Sequence, residues 1–114
     1  MPSEAQSSLA ERLRELLRGQ GEVREVSMFG GRAFMVNDKI AFSAGKGGDL
    51  LVRVNADDHG RLCSRDGAAQ AVMSGGRVMG PGWISVAPEA LDADGLAEWV
   101  DVGLDYNRSV TLDR

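Results

Sequence analysis

The chain has 114 residues, 43% of them hydrophobic and 26% charged, with a formal net charge of -4. That length suits one compact domain, residues 1–114, and the composition is that of a soluble globular protein rather than a disordered or fibrous one. The acidic balance disfavours broad attachment to nucleic acid or anionic lipid, since both need excess Lys and Arg to displace counterions. No run approaches the roughly 20 apolar residues of a membrane helix and no secretory signal opens the sequence, so a cytoplasmic location and no membrane contact are expected. Cys63 is the only cysteine, which excludes an intramolecular disulfide and a thiolate zinc cluster.

In chain order, Ser7 to Arg18 places Leu9, Leu13, Leu16 and Leu17 at helical spacing with charged residues on the other side, and Gly19-Gln20-Gly21 stops that helix. Glu22 to Phe29 alternates weakly and predicts a first strand. Arg32 to Val36 and Lys39 to Ser43 predict two more, joined by Asn37-Asp38 as a two-residue hairpin. A glycine-rich turn, Ala44 to Asp49, leads to the clearest strand, Leu50 to Val54.

A short helix from about Asp57 to Ser64 follows, with Asn55 or Asp57 as its cap. Ala68 to Gly76 reads as mostly irregular. Arg77-Val78-Met79 and Trp83 to Val86 are expected as short strands about the turn Gly80-Pro81-Gly82, and Pro88 marks the exit from the sheet. Asp92 or Asp94 then caps a last helix, with Leu96, Trp99, Val100, Gly103 and Leu104 on its apolar stripe, ending near Asn107.

Strands joined by such short turns cannot be parallel neighbours, so the class is α+β, with a mainly antiparallel sheet of about five to six strands and terminal helices on one face. Alternation turns Leu50, Val52 and Val54 toward the helices and Leu51 and Arg53 away from them, while Trp83 and Ser85 oppose Ile84 and Val86. If these two strands are neighbours, Leu51, Arg53 and Trp83 form the candidate protein interface, an apolar patch with a cationic rim. The alternative is that a loop or the first helix covers Trp83.

No constellation with catalytic spacing emerges. His59 and Cys63 lie four apart and share a helical face, but two ligands do not make a metal site, and a surface histidine with a partly buried cysteine is preferred. Gly30-Gly31-Arg32 reads as a bend or bulge with a solvated arginine rather than an anion site. Gly45-Lys46-Gly47-Gly48 lacks the spacing and the following helix of a phosphate loop. Asp92, Asp94, Glu98, Asp101 and Asp105 read as caps and solvated charges. No catalytic, metal or cofactor residue is assigned, and no cofactor is expected.

The motif Met28-Phe29-Gly30-Gly31, with Arg32 to Lys39 after it, resembles the signature that opens the amino-terminal domain of the TfoX/Sxy competence regulators. Leu50 to Val54, Gly76-Arg77-Val78-Met79, Gly82-Trp83 and Leu96 to Val100 are similar to later landmarks of that family, in the same order. The likeness covers nearly the whole chain and is to the stand-alone, single-domain bacterial form. It implies a secretion-chaperone-like α+β fold, in which dimers occur, and a regulatory setting. Where the family tends to carry proline and an aromatic residue, this chain has Ala68 to Met73. The resemblance supplies no catalytic residues.

The expected function is thus a non-enzymatic regulatory or protein-interaction domain whose partner is another protein or a second copy, as a homodimer. One alternative is direct DNA binding through Arg24, Arg32, Lys39, Lys46 and Arg77, against which the net charge argues; another is a small-molecule-binding protein or enzyme.

Overall fold

The computed structural model describes residues 4–28, 31–72, 76 and 78–112. It comprises α1 (Glu4–Leu17), β1 (Val23–Met28), β2 (Gly31–Val36), β3 (Lys39–Ala44), β4 (Leu50–Arg53), α2 (His59–Cys63), β5 (Ala68–Gln70), β6 (Trp83–Val86) and α3 (Ala93–Leu112). The strands form one antiparallel sheet in the order β1-β2-β3-β4-β6-β5. The fold class is therefore the expected α+β. β1 to β4 form a meander. α2 then carries the chain past the place that β6 later fills, so β5 becomes the edge strand.

Local chemistry explains most boundaries. Asn37 and Asp38 hold φ of 52° and 67°, the paired left-handed conformation of a tight hairpin whose twist matches its strands. The Asn55 side chain accepts from the Asp57 amide at 2.9 Å and opens a turn of 3-10 helix, Ala56–Asp58, ahead of α2. Asp92 Oδ1 accepts from the Gly95 amide at 2.7 Å at the start of α3.

The core lies between the sheet and the helices. Leu9, Leu13 and Leu17 of α1, Leu62 of α2, and Leu96, Trp99, Val100 and Leu104 of α3 pack on Phe34, Val36, Phe42, Leu50, Val52, Ile84 and Val86. Each fully buried aliphatic or aromatic side chain contributes about 1.5–3 kcal/mol. Phe34 and Phe42 are cross-strand partners. α3 rests on Phe42 and Val52 because position 103 is glycine: a Cβ there would meet the Phe42 ring at 2.5 Å and Val52 at 3.2 Å.

Four expectations need correction. Within Ala68 to Gly76, Ala68, Ala69 and Gln70 pair with Val86, Ser85 and Ile84 as β5 where irregular chain was expected, and residues 73–75 lie outside the described residues. Alanine has little strand preference of its own, and here the partner strand decides. Within Arg77-Val78-Met79, Arg77 lies outside the described residues and Val78 makes only an isolated bridge to Val72, so neither Val78 nor Met79 belongs to a strand of the sheet.

The last helix passes Asn107 and reaches Leu112, since no glycine or proline stops it; buried Asn107 instead donates to the Val36 carbonyl at 3.0 Å. The first helix begins at Glu4, three residues before the expected start at Ser7, because buried Gln6 donates to the Ala44 carbonyl at 2.9 Å and draws the first turn onto the sheet.

Candidate functional site

Arg53 and Trp83 are direct cross-strand partners at the end of the β4–β6 ladder. The Arg53 guanidinium carbon lies 5.3 Å from the Trp83 ring centre and 5.2 Å from that of Tyr106 on α3, and Nη2 donates to the Tyr106 hydroxyl at 3.4 Å. The cation is thus held by two π faces and a phenol oxygen. Buried Gly82 permits this approach, since a Cβ there would strike the guanidinium.

A groove opens beside this stack. β3 pairs with β4 only from Phe42 to Ala44, because the β2–β3 register shifts at Phe34/Met35 and Ala41 is the extra residue of a bulge. Lys39, Ile40 and Ala41 thereby part from β4, and α3 closes over the gap. The resulting groove of about 400 Å³ is lined by Lys39, Ile40, Ala41, Arg53, Trp83, Gly103, Tyr106, Asn107 and Val110.

Leu51 stands on a different feature of the same sheet. The registers align Val26, Ala33, Ser43, Leu51, Ser85 and Ala69 in one row across all six strands, on the face opposite Phe42, Val52 and Ile84. The row carries no charge, and Leu51 is its largest side chain. Val26, Ser43, Leu51 and Ser85 are half-buried, Ala69 is exposed and Ala33 is enclosed by its neighbours. Leu51 and Arg53 do share a face, as alternation indicates, but the guanidinium turns onto Tyr106 instead of forming an open cationic rim. Trp83 is half-buried, packed against that guanidinium.

His59 and Cys63 do come together, with Cys63 Sγ 3.4 Å from His59 Nε2. Their setting is structural. The Gly82 amide donates to His59 Nδ1 at 2.9 Å, which places the ring hydrogen of the neutral imidazole on Nε2, facing Gln70 Oε1 at 2.8 Å. Gln70 Nε2 in turn donates to the carbonyls of Ala71 and Gly80 at 3.2 and 3.1 Å. This chain ties α2 to β5 and to the turn before β6. His59 is half-buried rather than a surface residue. Among the described residues no group of three or more His, Cys, Asp or Glu is placed to hold a metal.

Of the cations proposed for nucleic acid, two are paired with carboxylates. Arg24 pairs with Asp38 at 3.4 Å, and Arg32 pairs with Glu25 at 3.3 Å while donating to Ser27. Lys46 is exposed on the β3–β4 turn, and Arg77 lies outside the described residues. Of the motif Met28-Phe29-Gly30-Gly31, Met28 and Gly31 are the last register pair of β1 and β2, and Phe29 and Gly30 lie outside the described residues. The carboxylates of α3 are exposed, with Glu98 on Arg65 at 2.6 Å and Asp105 on Arg108 at 3.3 Å.

Sequence reasoning missed Tyr106, Ile40, Val110 and Gln70. Tyr106 offered one signal, its helical spacing of three and seven residues from Gly103 and Trp99. The groove itself depends on the bulge at Ala41, which no local pattern announces.

These features define a class: a single antiparallel sheet layered with helices on one face, offering a row of small residues and a side groove. The sequence profile of the TfoX N-terminal domain family matches residues 15–106. That span covers most of the chain, and the chain belongs to this family. No curated protein matches it. Among the described residues no helix is long and apolar enough to cross a membrane.

Proposed function

We propose that this chain is a non-enzymatic regulatory domain of the cytoplasm that works through protein contacts, docking a partner or a second copy on the open face of its sheet. One observation carries this reading. The row from Val26 through Leu51 to Ala69 crosses all six strands without a charge, while the helices engage the opposite face. Uncharged, partly accessible surface of this kind makes little sense as a hydration layer and suits contact with another protein. Membership of the TfoX N-terminal domain family supports a regulatory, competence-related setting.

Leu51→Asp places a carboxylate at the centre of the row without touching the core. The variant is expected to lose self-association in sedimentation velocity, or the partner that co-purifies with the wild type from its host, while its melting temperature stays within a few degrees. Unchanged sedimentation together with an unchanged co-purified set would defeat the proposal.

A further inference from the structure

The side groove between β3 and β4 is a second feature, independent of the open face, and its chemistry is specific. Its walls are apolar: Ile40, Ala41, Trp83 and Val110. Its polar groups are cations, a phenol and an amide. Asn107 donates to the Val36 carbonyl and accepts from Asn37 Nδ2 at 3.4 Å, so it serves as wall. The Tyr106 hydroxyl accepts from Arg53 and keeps its own O–H to donate. Among the described residues two cations remain, Arg53 and Lys39, and no carboxylate lines the groove.

This is an unusual local balance for a chain with a net charge of -4. Lys39 makes no ion pair among the described residues, and of the five guanidinium N–H groups of Arg53 the Tyr106 hydroxyl takes one. The Trp83 and Tyr106 rings fix the guanidinium plane in advance, so an anion arriving there meets donors that lose little freedom on binding. A volume of about 400 Å³ lies in the range of small-molecule sites, far too small for a folded partner.

We infer that the groove binds a small organic carboxylate with an apolar body, its carboxylate on Arg53 and Lys39 and its body between Ile40, Trp83 and Val110. The bulge at Ala41 creates the opening, and Gly103 lets α3 form its roof.

The test is titration of the 15N-labelled protein, followed by NMR, with 4-phenylbutyrate and octanoate, alongside 4-phenylbutyramide as the uncharged isostere. Saturable shifts confined to Ile40, Ala41, Arg53, Trp83 and Tyr106 are expected for at least one carboxylate, with the amide at least 10-fold weaker. Lys39→Glu, a change at a half-buried strand end, should weaken the carboxylate about 10-fold while leaving the spectrum of the unliganded fold in place. Absence of saturation by both carboxylates, equal affinity for the amide, or shifts centred elsewhere would each overturn the inference. Leu51→Asp is expected to leave this affinity unchanged, so failure of the open-face reading and failure of the groove are separately visible.

Discussion

At the scale of single residues, the imidazole of His59 shows how a group with catalytic potential becomes a strut. Its two nitrogens are spent on the Gly82 amide and on Gln70. His59→Ala leaves a backbone N–H and a side-chain oxygen without partners, at a cost of about 1–3 kcal/mol. His59→Asn keeps an acceptor for Gly82 and should recover part of that loss; urea denaturation of the three proteins gives the order. Glu25 is a charged counterpart. The hydrogen bond from Arg14, at 2.5 and 2.9 Å, holds its carboxyl below the ordinary range, opposed by partial burial and aided by the charges of Arg14 and Arg32. A depressed acid stabilises the fold above its unfolded pKa and loses that contribution as the pH falls through the folded value. Glu25→Gln should therefore cost about 0.5 kcal/mol at pH 7 and progressively less as the pH drops below about 4, measured as the gap between wild-type and variant denaturation curves.

At the scale of elements, the Asn37-Asp38 hairpin offers a clean test of the link from turn chemistry to strand register. Asp38 sits at φ 67°, where a side chain is strained and glycine is not. Asp38→Gly should stabilise the domain by about 0.5 kcal/mol, since the pair it removes, to Arg24 at 3.4 Å, is exposed and worth little. Asn37 must stay, because it accepts from the Glu22 amide and donates to Asn107. A fall in melting temperature would show that the Arg24 pair matters more than the backbone strain. This hairpin was legible in the sequence for the same reason that it is testable: two residues decide it locally. β4 and β6 were legible through alternation, and Leu50, Val52, Ile84 and Val86 are fully buried as alternation requires. β5 was not, because Ala68-Ala69-Gln70 forms a strand only through pairing with β6 and through the Gln70 link to His59. Of the candidate patch, alternation set Arg53 and Trp83 on one face but left open whether their strands are neighbours, which the β4–β6 pairing supplies; the capture of Arg53 by Tyr106 was not foreseen, since it joins residues 53 apart in sequence.

At the scale of the whole molecule, one missing side chain decides whether the two layers close. α3 carries Leu96, Trp99, Val100 and Leu104 into the core and Tyr106, Asn107 and Val110 to the groove, and it does both from a single rigid helix of 20 residues. Gly103 lies between the two sets, directly over Phe42 and Val52. A glycine within a helix costs about 1 kcal/mol against alanine in propensity, so closeness to the sheet must return more than that. Gly103→Leu would push the helix outward: the Phe42 ring is fully buried against the Phe34 pair and cannot retreat, and overpacking of this kind costs about 1–3 kcal/mol. Gly103→Ala is the sharper case. Propensity favours it and the 2.5 Å approach to Phe42 opposes it. We expect the clash to win, with a melting temperature below wild type for Ala and lower again for Leu. A more stable Gly103→Ala protein would mean that α3 tolerates a looser seat, and the groove, whose roof is this helix, would then widen with it.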